Sequence, residues 1–91
     1  MGYTLDVDPD ARAQIRALPP EGAIALVEAF EVLSLVPERG EPANARNPTG
    51  GLYHLPFGDG RGLITYLLLT TQGRVDVLVV TRVSFEQHPV A

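Results

Sequence analysis

Few side chains in this sequence can do acid–base or anion chemistry, and their types narrow what that chemistry could be. There are two histidines, His54 and His88, seven arginines, and neither lysine nor cysteine. Without cysteine there is no thiolate nucleophile, no thiolate metal ligand and no disulfide. His54 and His88 have no partner spacing that suits a metal, so neither metal nor cofactor is expected. Ser34 and Ser84 stand outside any nucleophile motif. The run Gly58-Asp59-Gly60-Arg61-Gly62 lies between two apolar segments rather than ahead of a helix, which makes it a turn and not a phosphate cradle. Imidazole and guanidinium remain: His54, Arg61 and Arg82, with Arg46 and His88 as outliers. Imidazole exchanges protons near neutrality, and guanidinium pairs with anions.

Three of these residues belong to the stretch Gly50–Val83, which holds most of the apolar and β-branched residues. It reads as a three-stranded antiparallel meander: Leu52–Phe57, Leu63–Thr71 and Val75–Arg82. Gly58-Asp59-Gly60 makes the first reversal and Gln72-Gly73 the second, because glycine tolerates the positive φ that tight turns need. Strand alternation sends Tyr53, Leu55 and Phe57 to one face and His54 to the other. In the central strand Ile64, Tyr66 and Leu68 share one face, while Leu63, Leu67 and Leu69 share the other with Thr65. Both faces are apolar. A single helical layer covers only one of them, so a partner chain, or a second copy of this one, is expected on the sheet.

The N-terminal part supplies that layer. Tyr3-Thr4-Leu5-Asp6-Val7 alternates as a short strand with Tyr3, Leu5 and Val7 inward. Asp8-Pro9-Asp10 then opens a helix, with Asp8 as cap, proline at the first position and a carboxylate at the positive end of the dipole. Ala11, Ile15 and Leu18 form its apolar face, and Arg12 and Arg16 stand on a wet one. Pro19-Pro20 ends it and starts a second helix, whose Ala23, Leu26, Val27, Phe30 and Leu33 follow helical spacing up to Pro37. Glu38–Gly51, which contains Arg46, reads as a loop. Residues 84–91 read as a short extension free to move, with Phe85 available to pack back on the sheet.

Ninety-one residues amount to one domain, 1–91, with one modest core. No run of about 18 apolar residues occurs, and the N-terminus lacks a signal-peptide pattern, so a cytoplasmic protein with no membrane contact is expected. The net charge of −4 argues against strong non-specific nucleic-acid binding. It is unevenly spread. Residues 1–41 hold eight acids and three arginines, whereas residues 42–91 hold three acids and four arginines. The helical half is acidic, and the sheet half is not.

The fold class is therefore α+β, in the order β-α-α-β-β-β, with one mainly antiparallel sheet and a helical hairpin on one face. With Leu33, Pro37, Gly40 and Pro42 spaced as LxxxPxxGxP, then Gly51 and Tyr53, then GRGLITY (Gly60 to Tyr66) and RVDVLVVTRV (Arg74 to Val83), the chain resembles the RelE/ParE toxin superfamily over about residues 3–83. The resemblance implies a small toxin that a cognate antitoxin wraps and neutralises, which would cover the second apolar face of the sheet. In the RelE branch it implies cleavage of messenger RNA on the ribosome. That reaction needs a group to orient or deprotonate a ribose 2′-hydroxyl, cations at the scissile phosphate and a proton donor for the leaving oxygen.

Carried over residue by residue, the resemblance puts His54 and Pro56 where relatives often have lysine or arginine. Leu63 stands at an arginine position of the second meander strand, with Arg61 two residues earlier. Arg82 matches a frequent arginine at the end of the last strand, and Ser84 and Phe85 follow where some relatives have His and Tyr. His54, Arg61 and Arg82 are the expected catalytic group, and Arg46 and His88 the expected RNA contacts. Each also has an ordinary reading: His54 as a polar face residue, Arg61 and Arg46 as solvated, Arg82 paired with Asp76 or Glu86, His88 inert in the tail. Tyr66 reads as a core residue whose hydroxyl is satisfied locally. The expected function is that of a type II toxin acting as a ribosome-dependent endoribonuclease. The alternatives are a ParE-like inhibitor of DNA gyrase, which needs no ribonuclease residues, and a non-toxic binding module that kept the fold.

Overall fold

The computed structural model describes residues 2–43 and 51–82. Strand β1 (Thr4–Val7) leads into helices α1 (Pro9–Arg16) and α2 (Pro20–Leu35), followed by a 3-10 turn at Pro37–Arg39 and a two-residue strand, β2 (Glu41–Pro42). The meander is β3 (Leu52–Phe57), β4 (Gly62–Leu69) and β5 (Arg74–Arg82). All five strands form one sheet in the order β1-β5-β4-β3-β2. Only β1 and β5 run parallel, Thr4 lying opposite Arg74 and Val7 opposite Val77; the β2–β3, β3–β4 and β4–β5 pairs are antiparallel. The α+β order read from the sequence holds.

Local chemistry sets the boundaries. The Asp8 carboxylate accepts from the Asp10 amide at 3.1 Å and caps α1, with Pro9 in its first turn. Pro20 occupies the first turn of α2, and Pro37 begins the 3-10 turn that follows it. The β3–β4 reversal uses positive φ at Gly58, Asp59 and Gly60, and Gly73, at φ 61°, makes the β4–β5 reversal. The second meander strand stops at Leu69 rather than Thr71, because Thr70–Gln72 form a 3-10 turn before Gly73.

Helices α1 and α2 cover one face of the sheet. Ala11, Leu26, Ala29 and Leu33 meet Phe57, Ile64, Tyr66, Leu68, Val75, Val77 and Val80 in a single core. Along β4 the burial alternates strictly: Ile64, Tyr66 and Leu68 are buried, and Leu63, Thr65, Leu67 and Leu69 are half-buried on the outer face. Tyr53 stacks on Tyr66 across the β3–β4 pair, with ring centroids 5.6 Å apart. The Phe57 ring lies over Gly62, its cross-strand partner, and fills the space a side chain there would need.

Three expectations need correction. Val27 was expected on the core face of α2 but points outward, because the buried stripe is Gly22, Leu26, Ala29 and Leu33. The loop expected over Glu38–Gly51 contains β2, which two residue pairs join to β3, too short a segment to leave a period in the sequence. The Tyr66 hydroxyl is satisfied, but by the carbonyl of Pro37, 2.5 Å away and 29 residues earlier in the chain.

Candidate functional site

The outer face of the sheet is where the helices leave chemistry exposed. His54 lies opposite Glu41 on one side and Thr65 on the other, and Thr65 lies opposite Val79. Residues directly opposite in an antiparallel pair share a face. Glu41, His54, Thr65 and Val79 thus form one row across four strands, an imidazole between a carboxylate and a hydroxyl. Leucines bracket the row. Leu52 lies opposite Leu67, and Pro56 opposite Leu63. Leu52 and Val79 are exposed, while Leu63, Leu67 and Leu69 are half-buried. The leucines form an apolar patch around His54, and beyond it the same face carries Thr81 and the Arg74–Asp76 ion pair, opposite Leu63, Leu69 and Leu67.

The segment carrying Glu41 is held from below. The Tyr66 hydroxyl donates to the Pro37 carbonyl, and the Ala43 amide donates to the Leu52 carbonyl at 2.8 Å. Gly40 passes so close to the Tyr66 hydroxyl and the His54 carbonyl that a Cβ there would collide with both. Burial pushes the Tyr66 phenol up to about 12, partly offset by a hydrogen bond from the Gly40 backbone. The phenol is therefore a neutral structural donor, not an acid for catalysis.

The three residues expected to act together are not gathered on one face. Arg61 stands in the turn just ahead of β4, where its Nε donates to the Gly58 carbonyl at 3.1 Å. Arg82 lies opposite Gly62 at the same end of the sheet, but on the helix side. There it borders a depression of about 310 Å³ with Gln14, Ala17, Leu18, Val80 and Thr81. His54 is three residues further along the β4 register, about 10 Å from that end at strand rise, and on the opposite face from Arg82. Arg82 does not pair with Asp76 either: Asp76 binds Arg74, Nε to Oδ1 at 2.8 Å, which holds the guanidinium above its usual value. Arg46 and His88 lie outside the described residues.

The separation has a local cause. A bulge between Thr65 and Tyr66 in the β4–β5 register leaves Leu78 as an extra residue on β5. Before it, Val75 and Val77 face the core; after it, Val80 does. The bulge reverses the parity of the strand end and takes Arg82 away from the face of His54. Gln14 supports the rearranged edge, its Oε1 accepting from the Val80 amide at 2.7 Å.

This architecture, a helical hairpin on one face of a mixed five-stranded sheet, matches that of toxins solved in toxin–antitoxin complexes. The chain resembles the Mycobacterium tuberculosis toxin–antitoxin complex RelBE2 at 28% identity and a TM-score of 0.76, covering 90% of this chain and 99% of that one. It also resembles the intact E. coli RelBE complex (23% identity, TM-score 0.70, 90% and 98% of the two chains) and the chromosomal ParDE system of P. aeruginosa (18%, 0.64, 90% and 97%). No protein-family model matches the sequence, and neither does any curated protein. Its fold matches that of solved RelE and ParE toxins, which supports the RelE/ParE superfamily. The likeness supports a toxin's role. Among the described residues, no helix is long and apolar enough to cross a membrane.

Proposed function

We propose that this chain is the toxin of a type II toxin–antitoxin pair, that its antitoxin covers the outer face of the sheet, and that its activity is ribosome-dependent cleavage of messenger RNA. The observation that carries the reading is His54, set in the row Glu41–His54–Thr65 and bracketed by outward leucines on the sheet face. The solved relatives are toxin–antitoxin complexes, and the outer leucines give an antitoxin apolar area to bury.

In this reaction His54 takes the proton of a ribose 2′-hydroxyl. The oxygen attacks the adjacent phosphorus, and the P–O5′ bond breaks to give a 2′,3′-cyclic phosphate and a 5′-oxygen that leaves as a hydroxyl with a proton from solvent. Arg61, at the sheet end beyond His54, offsets charge on the phosphoryl oxygens. Arg82 reaches the RNA from the helix side, and Arg46 and His88 add contacts. Purified protein added to translating ribosomes is expected to cut messenger at discrete positions. A folded His54→Ala, Arg61→Ala, Arg82→Ala variant is expected not to. Intact messenger at high protein concentration would remove the ribonuclease reading.

A second reading has its own support. Arg82 stands across the sheet from His54, so the residues form no single constellation, and a ParE-like gyrase inhibitor needs none. Inhibition of gyrase supercoiling without messenger cleavage would decide for it. Growth unaffected by soluble, induced protein would leave the fold as a binding module only.

A further inference from the structure

Helix α2 and the end of β3 enclose a hollow of about 270 Å³. Its walls are apolar: Ala25, Ala29 and Val32 come from the helix, and Leu55 and Phe57 from the strand. Leu55 and Phe57 alternate with His54 along β3, so the hollow lies on the helix side of the sheet, away from the outer face that carries His54. Ala25 and Ala29 are neighbours on one helix face, and their small side chains leave the space open.

The rim is polar. Glu28 lies on α2, Arg39 in the 3-10 turn that leads into β2, and Pro56 on β3. Glu28 and Arg39 border one hollow without pairing; among the described residues the ion pair joins Arg74 to Asp76. Pro56 adds an acceptor. The Leu52 carbonyl accepts from the Ala43 amide, and the His54 carbonyl faces Gly40, so alternate residues of β3 turn their carbonyls away from β4 and toward β2. Pro56 is next in that series, and its missing N–H takes nothing from the β3–β4 ladder. Strand β2 pairs with Tyr53 and His54 and stops short of Pro56, whose carbonyl therefore has no strand beside it. A carboxylate, a bare carbonyl and a guanidinium meet around a small apolar space.

We propose that this hollow is a binding site for a free aliphatic α-amino acid. The side chain fills the apolar space, the ammonium group donates to the Glu28 carboxylate and the Pro56 carbonyl, and the ligand carboxylate accepts from Arg39. A concave, mostly apolar site with a few convergent polar groups is the form that small-molecule sites take. The two opposite charges select the class. A leucine inside a polypeptide carries neither charge and leaves Glu28 and Arg39 unmatched, and a simple amine or carboxylic acid matches one of them. The bound molecule joins α2 to the turn ahead of β2, the segment that places Glu41 beside His54. The inference does not depend on ribonuclease or gyrase activity.

The test is an amide NMR titration of the full chain with L-leucine. Leucine is expected to shift the resonances of Ala25, Ala29, Val32 and Leu55 saturably and to raise the unfolding midpoint. Glycine lacks the side chain, isocaproate lacks the ammonium group, and N-acetyl-leucinamide lacks both charges; each should bind about tenfold more weakly or worse. Glu28→Gln and Arg39→Gln, at exposed positions that leave the core intact, should each weaken leucine about tenfold. Leu67→Lys on the sheet face should leave binding unchanged. No saturable shift up to the solubility limit of leucine, indifference to both charge substitutions, or shifts on the outer sheet face alone would overturn the proposal. So would equal binding of N-acetyl-leucinamide, which would assign the hollow to a leucine side chain of a polypeptide.

Discussion

Tyr66→Phe isolates one buried hydrogen bond that ties the core to the candidate site. The Tyr66 side chain is fully buried, and its hydroxyl donates to the Pro37 carbonyl at 2.5 Å. Phenylalanine keeps the ring stack with Tyr53 and removes only the donor. Leaving a buried carbonyl without that donor costs about 1–3 kcal/mol. The cost depends on pH. The folded phenol titrates at about 12 and the unfolded one near 10, so the folded state holds its proton more tightly. That contribution is complete below pH 10 and is lost as the pH rises from 10 through 12. Two pH units correspond to at most about 2.7 kcal/mol, and allowing for solvent screening to about 1–2 kcal/mol. Urea unfolding of both proteins from pH 7 to 12 is the assay. The stability gap should be constant to pH 10 and then narrow by about 1–2 kcal/mol, while amide exchange at Ala43 is faster in the variant because β2 is less well held. Parallel stability curves up to pH 12 would refute the assignment of the phenol as a buried, neutral donor.

Other substitutions probe other joints. Gln14→Ala deprives the Val80 amide of its acceptor and should lower stability by about 1–2 kcal/mol in urea unfolding, with faster exchange at Val80. Gly62→Ala forces a methyl group into the Phe57 ring and should cost about 1–3 kcal/mol, largely recovered in the Gly62→Ala, Phe57→Leu double variant. Arg74→Ala, which breaks a part-buried ion pair with Asp76, should lower the unfolding midpoint only slightly. If His54 is the base, His54→Ala should lower messenger cleavage about 10²–10⁴-fold with the unfolding midpoint preserved.

The sequence carried the architecture because its signals are local. Asp8-Pro9 starts a helix, Gly58–Gly60 and Gly73 reverse the chain, and the alternation of Ile64, Tyr66 and Leu68 shows which side of β4 is buried. What it hid depends on distant pairing. Strand β2 exists because Glu41 meets His54, and two residues of strand have no period of their own. Counting by twos from Val77 would put Val80 and Arg82 on the outer face. The register shift opposite Leu78 reverses that, and no residue type near it announces a bulge. The outward turn of Val27 was masked for a related reason: α2 is apolar on both sides, so spacing alone could not tell its core stripe from its outer one. The row Glu41–His54–Thr65 was missed because it is a cross-strand feature, although His54 and Thr65 were both in view.

The parallel pairing of β1 with β5 joins the first strand to the last, with Thr4 beside Arg74 and Val7 beside Val77. Until β5 has been synthesised, β1 has no neighbour in the sheet and β4 lacks one of its two. The core cannot close either, because Val75, Val77 and Val80 all come from β5. Contacts between residues so far apart in sequence form late and slowly. A nascent chain short of β5 therefore has the helices and part of the meander but no finished surface around His54. Whatever this sheet binds, it can bind only after the chain has been extended through its last strand.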